Sequence, residues 1–215
     1  DGCVNPLKLH TMQLSAIKKL GGKLHYEATV REIKSNGRAG WTVKTALGEV
    51  TTGHVIAAAG LGARDLAKQL GLDIPVRPQR GQIIVSQRMP KVMGLPASTF
   101  RQTADGTFLV GATKENVEFD ESTTLAGARE LAQNATRILP MLRNVNVVRQ
   151  WAGLRVMTPD GAPIYDFSET ASAAACHSGI TLAPIHSNLF VEKLLGISSG
   201  RELDPFHPSR FQSHG

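Results

Sequence analysis

Arg155 stands in WAGLRVM, a stretch of apolar and small residues where a strand is expected. A cation in that setting needs a partner, and the planar guanidinium fork matches a carboxylate through two parallel hydrogen bonds. The partner is either a carboxylate ligand or one of the chain's 18 acidic residues in a structural ion pair. A second feature is CHSGIT, residues 176–181, where the small-residue strand ASAAACH gives way to a last helix. A helix starting there turns unpaired amides and its positive dipole end toward an anion, and Gly179 lets the backbone approach a ligand closely. An ordinary strand-to-helix turn has the same residues. A third is VIAAAGLGARDLAKQLG, residues 55–71, which reads as strand, Gly60-Leu61-Gly62 turn and helix. It has the outline of a dinucleotide loop, but G-x-G-x-x-G requires glycine where Asp65 stands. A carboxylate there repels pyrophosphate, which disfavours an NAD-type dehydrogenase.

Other chemistries lack residues. No Ser-His-Asp or paired-carboxylate arrangement is legible, so a hydrolase has no support. Cys3 and Cys176 show no metal spacing, and the seven histidines form no HxH or HxxxH pair. Unpaired cysteines fit a reducing, cytoplasmic compartment. The net charge of +6 is scattered and aromatics make up only 5%, which argues against nucleic acid as a partner. No apolar run approaches the roughly 18 residues of a membrane span.

The elements that must position these residues alternate in type. Asn5-Pro6 caps a helix with an apolar face of Leu7, Leu14, Ile17 and Leu20, which Gly21-Gly22 ends. KLHYEATVREI, WTVKTAL and EVTTGHVIAAAG then read as a β-meander, followed by a helix over 63–70. IPVRPQRGQIIVSQ, PASTFRQ and GTFLVGAT are strand-like, with a hairpin turn at Ala104-Asp105-Gly106. A helix spans about 123–139 and stops before Pro140. NVVRQWAGLRVM and APIYDF flank the turn Thr158-Pro159-Asp160-Gly161, and the last helix spans about 182–195. The class is α+β. The strand at 54–59 is nearly continuous in apolar residues, as in a strand buried on both faces of a parallel sheet, yet no βαβ unit precedes it.

Four segments together resemble the flavin-dependent D-amino-acid oxidase superfamily, which includes glycine oxidases, sarcosine oxidases and D-amino-acid dehydrogenases. They are DGCVNPLKL with GGKLHYEATVREI; HVIAAAGLGARDL with IPVRPQRGQ; WAGLRVMTPDGAPIYD; and CHSGITLAP with the tail LDPFHPSRF. Their order covers nearly the whole chain and matches the C-terminal part of such enzymes. The resemblance implies part of an FAD-binding Rossmann-type, glutathione-reductase-like domain (residues 1–75 and 151–215) and a mostly antiparallel substrate domain (76–150). It implies FAD-dependent oxidation of an amino acid or secondary amine by hydride transfer to flavin N5, with a partner subunit or electron acceptor as a further component. The family's pyrophosphate loop and its ribose-binding acid are not in this sequence, so an N-terminally incomplete chain is expected. A non-catalytic binding or assembly module, or a subunit completed by another chain, is the alternative.

Site roles follow residue by residue. The arginine of the GLR motif, Arg155, would hold the substrate carboxylate, and His177 would face the substrate or cap its strand. Ser178, Gly179, Ile180, Thr181 and Leu182 would meet the negative charge developing on the flavin ring. Ala59 and Gly60 would pack near the cofactor, and the Val30 backbone would touch its adenine end; by itself Val30 is simply a strand valine. Gly153 occupies a place where some sarcosine-oxidising relatives carry a flavin-linking cysteine, so FAD is expected to be non-covalent. Cys176 reads as a small buried hydrophobe.

Overall fold

The computed structural model describes residues 3–212, so Asp1 and Gly2 of the opening segment lie outside the described residues. The chain divides into two compact units, one built on Pro78–Arg155 and the other on Asn5–Arg77 with the residues from Val156 onward. In chain order the elements are α1 (Pro6–Lys19), β1 (Val30–Ser35), β2 (Trp41–Thr45), β3 (Gly48–Thr52), β4 (Val55–Ala57), α2 (Ala63–Gln69), β5 (Arg77–Arg88), β6 (Phe100–Gln102) and β7 (Thr107–Gly111). Then come α3 (Leu125–Ile138), β8 (Val147–Met157), β9 (Ile164–Phe167), β10 (Ala171–Ala175), α4 (Gly179–Ile185) and α5 (Val191–Leu194).

In the unit that opens with α1, Asn5 accepts hydrogen bonds from the Leu7 and Lys8 amides and Pro6 takes the first helical position, so α1 starts where the sequence predicts. Its expected apolar face is uncovered by the described residues: Leu7 is 76% exposed and Leu20 88%. β1, β2 and β3 form the meander, although regular pairing begins only at Val30 rather than near residue 23. The stretch 49–60 is not one strand. It breaks at Gly53-His54; β3 completes the meander, and β4 joins a different sheet of order β4-β10-β9.

β4 and β10 run parallel, with Val55 opposite Ala171, Ile56 opposite Ser172 and Ala57 opposite Ala173. The apolar run of β4 therefore does not signify burial on both faces. Ala57 is buried but Ile56 is 48% exposed, because β4 is the edge of this sheet among the described residues. On the covered face, Ala63 and Ala67 of α2 share a core cluster with Ala171, Ala173 and Ala175 of β10, with Ile33, Trp41, Ile74 and Ile164 around them. Alanine on both sides lets the helix and sheet approach closely. The Trp41 indole donates to the Thr170 carbonyl at 2.9 Å, tying the meander to the β4-β10-β9 sheet. Arg210 anchors the C-terminal tail by donating to both oxygens of Asp160 in the 158–161 turn.

The other unit is a four-stranded sheet of order β6-β7-β5-β8, antiparallel between β6 and β7 and between β7 and β5. Phe100, Phe108, Val110 and Ile84 pack on Leu131 and Ala135 of α3. The Thr124 hydroxyl caps α3 by accepting from the Gly127 amide. A fully buried glutamine ties helix to sheet. Gln82 Oε1 accepts from the Thr124 amide at 2.7 Å and from Gln150 Nε2 at 2.9 Å, while its Nε2 donates to Glu115 and Thr124. Every polar atom of that side chain is satisfied, which makes the site intolerant of displacement. Gly127 lies directly against this amide, and a Cβ there would collide with it. Gly127→Ala should therefore lower unfolding stability by about 1–3 kcal/mol, through overpacking and unsatisfied buried bonds. Urea unfolding measures this; a change within about 0.5 kcal/mol, the range of an uneventful surface substitution, would show that the network repacks freely.

Candidate functional site

Parallel pairing of β4 and β10 brings two strand-to-helix turns side by side. In open α/β sheets, ligands lie beyond the carboxyl ends of such strands. Here the position holds a cleft lined by Ala58 and Gly60 after β4, by Ala174, Ala175 and Cys176 at the end of β10, and by Gly179, His186 and Phe190. The lining is apolar except at Cys176 and His186 and mostly small, with Phe190 the large apolar member, and it contains no acidic residue among those described.

The helix that opens at the cleft begins at Gly179, three residues earlier than the sequence suggests. Ser178, just before it, adopts the left-handed conformation at φ +59°. A non-glycine residue held there is strained by about 1–3 kcal/mol, and such strain concentrates at functional sites. The Ser178 side chain caps no amide, and the first intrahelical bond runs from the Leu182 amide to the Ser178 carbonyl. The amides of Gly179, Ile180 and Thr181 are thus left for a ligand or solvent. Helix continues from α4 through a π turn at His186–Phe190 into α5.

His186 is a site residue that the sequence reading misses. Its signal is the spacing Gly179, His186, Phe190, seven and four residues apart, which puts all three on one helix face. Tyr165, almost fully buried, has its hydroxyl 3.0 Å from His186 Nε2. Burial pushes the Tyr165 hydroxyl up to about 12, so it stays protonated beside the imidazole. Burial also holds His186 below its ordinary value, with the Leu182 carbonyl only partly offsetting it, and pushes the Cys176 thiol up.

The predicted residues divide in three ways. Gly60 and Gly179 line one cleft, with Ala59 and Ser178 adjoining them and Ile180, Thr181 and Leu182 in the first helical turn. His177 is half-buried in the turn between Cys176 and Ser178 and is not among the cleft-lining residues. Val30 begins β1 and packs against the core of its unit, away from the cleft lining. Gly153 and Arg155 belong to the unit of Pro78–Arg155.

Arg155 lies half-buried against β5. Its Nη1 donates to the Arg80 carbonyl at 3.2 Å, and it has no carboxylate partner among the described residues. Burial lowers its pKa with nothing acidic opposing the shift. A Cβ at Gly81 would fall 2.5 Å from the guanidinium, so only glycine leaves this seat open. Arg80 is treated in the opposite way. That arginine is buried and holds two acids, Glu115 through Nη2 at 2.8 Å and Asp120 through Nη1 at 2.5 Å. Burial alone would raise Glu115, but bonds from Thr113, Gln82 and Arg80 leave it below its usual range.

The chain belongs to the FAD dependent oxidoreductase family, whose model matches residues 1–193. FAD is the cofactor of that family, and the bare amides and small residues at the cleft fit the ring end of such a group. The chain is 33% identical over 218 residues to one of the subunits of opine oxidase from Agrobacterium tumefaciens (strain Ach5), covering 99% of this chain and 58% of that protein. It is 30% identical over 212 residues to the glycine oxidase of Pseudomonas aeruginosa, covering 94% of this chain and 57% of that one. Among solved structures, L-proline dehydrogenase from P. horikoshii superposes with a TM-score of 0.88 at 24% identity, over 97% of this chain and 60% of that one. This likeness shows a shared fold. The chain thus spans a little under 60% of these two curated relatives' lengths.

The His186 pair makes stability depend on pH. A ring whose folded pKa lies below its unfolded value binds its proton more readily when unfolded. Stability is then complete above the ordinary imidazole value of about 6.5 and is lost as pH falls through the folded-state value. His186→Phe should remove this part of the pH dependence, so the fall in Tm between neutral and mildly acidic buffer should be smaller than in wild type. An unchanged fall would mean that His186 is not the proton-linked group.

Proposed function

We propose that this protein takes part in the FAD-dependent oxidation of an amino acid or secondary amine. One observation supports this most directly: a half-buried arginine whose guanidinium has only a main-chain carbonyl for a partner among the described residues, in a chain of a flavin-dependent oxidoreductase family. Arg155 is the substrate's carboxylate anchor, through the bidentate pairing that its fork allows. Bound FAD supplies the acceptor for the hydride leaving the carbon next to nitrogen. At the cleft, the Gly179, Ile180 and Thr181 amides and the positive end of the helix stabilise negative charge on the ring, and Ala59 and Gly60 let it lie close to the backbone. His177 and Val30 retain only their resemblance to family positions in support of a substrate or adenine contact. FAD is held without a covalent link, since Gly153 has no side chain to attach it.

A second reading has its own support. No G-x-G-x-x-G occurs in these 215 residues, the outer edge of β4 has no strand among the described residues, and α1 has no buried residue. A segment that pairs with β4 and supplies amides for the pyrophosphate would complete the cofactor site, in the same polypeptide or on a partner subunit. That the opine oxidase relative is itself named as one subunit of its enzyme fits the latter. On this reading the chain is one component of the oxidoreductase, not a sufficient catalyst.

The test is reduction of the flavin-loaded protein, without oxygen, by a panel of amino acids and secondary amines, followed through loss of the flavin's visible absorbance. With a substrate so identified, Arg155→Lys should lower kcat/KM by about 2–5 kcal/mol of transition-state binding, because an ammonium cannot reproduce the fork. A change of less than about threefold would remove Arg155 as the anchor.

A further inference from the structure

The sheet of the Pro78–Arg155 unit has one face covered by α3 and another that carries Arg155. Ile84 on β5 packs in the α3 core, and Gln82 on β5 and Gln150 on β8 bond to Thr124 at the start of that helix. Side chains alternate along a strand, so Gly81 and Ile83 of β5, and Trp151, Gly153 and Arg155 of β8, occupy the opposite face. Two contacts agree with this alternation. The Arg155 guanidinium lies over Gly81, and the Trp151 ring reaches to 3.6 Å from where a Cβ of Gly153 would stand. A cation and an indole thus sit over glycines of two neighbouring strands, β5 and β8. Trp151 is 40% exposed, and its indole N–H has no hydrogen bond within the described residues. Trp41, by contrast, is buried and doubly bonded to Thr170.

We propose that this face recognises a carboxylate carrying an apolar, planar substituent, the carboxylate on Arg155 and the substituent on Trp151. The proposal rests on the reading of Arg155 as a carboxylate anchor and deepens it. It makes Trp151 a specificity residue and an amino acid with an aromatic or flat apolar side chain the preferred substrate class over glycine. The chemistry favours it on two counts. A large aromatic left half-exposed beside a cation offers a stacking surface that a small hydrophilic molecule cannot use. The glycines beneath keep both groups low against the sheet, so one small molecule can touch both.

Equilibrium binding to the flavin-loaded protein tests this by calorimetry, with acetate and phenylacetate as probes. The wild type should bind phenylacetate at least about tenfold tighter than acetate, the scale of one well-placed aromatic contact. In Trp151→Ala the ratio should fall below about threefold, and in Trp151→Phe, which keeps a stacking ring and guards against misfolding, most of it should remain. Arg155→Lys should weaken both probes and leave the ratio in place. A ratio unchanged in Trp151→Ala, with both probes weakened by Arg155→Lys, overturns the specificity role alone. Undiminished binding of both probes to Arg155→Lys overturns the anchor and this proposal together.

Discussion

The parallel register of β4 on β10 is the constraint on which the candidate cofactor site depends. Setting Ala57 opposite Ala173 points the carboxyl ends of both strands to the same edge of the sheet, with β10 running on to Ala175, so the turn through Gly60 and the turn through Ser178 open on the same cleft. A parallel sheet slipped by one residue turns every side chain to the other face. Here such a slip would move the buried Ala57 toward solvent and separate it from α2. The alanine content of β10 and α2 serves the same end, since bulkier residues would hold the helix away. Strain at Ser178 is then the local cost of turning from strand to helix within one residue while keeping three amides free.

Arg155 relies on a different kind of support. Its seat exists because residue 81 is glycine and because the Arg80 carbonyl points toward the guanidinium. The Arg80 side chain is held by Glu115 and Asp120, and Glu115 is held in turn by Gln82 and Thr113. One arginine is thus neutralised within the protein while the other, a short distance along the same sheet, has only a carbonyl among the described residues. This contrast between two cations of one small unit is what the proposed anchor role of Arg155 rests on.

Much of this is legible in the sequence because its signals are local. The cap at Asn5, the stop before Pro140 and the hairpin at Asp105-Gly106 each depend on residues within one turn of chain. The conspicuous Arg155 can be found the same way, as a charge among apolar neighbours. What cannot be read depends on pairing between distant segments. β-branched Thr51 and Thr52 precede Gly53-His54 and the apolar run 55–59 follows it, so 49–60 reads as one strand, and only the competition between the meander and β10 divides it. The same apolar run suggests burial on both faces, but burial is decided by neighbours that a strand's own residues do not name. The Arg80–Glu115 pair joins a strand to a polar loop that has no periodicity, and His186 lies in a helix whose bend into a π turn has no sequence mark beyond its spacing to Gly179.

The proposed seat of the flavin ring is the cleft between the β4 and β10 turns. Hydrogen–deuterium exchange, compared between the cofactor-free and FAD-loaded protein, addresses it directly. The amides of Gly179, Ile180 and Thr181 have no intrahelical acceptor and should exchange fast without cofactor. Slowed exchange in 176–182, together with 57–62, on loading FAD is the expected result. Protection that arises elsewhere while both segments exchange as before would place the ring at another site.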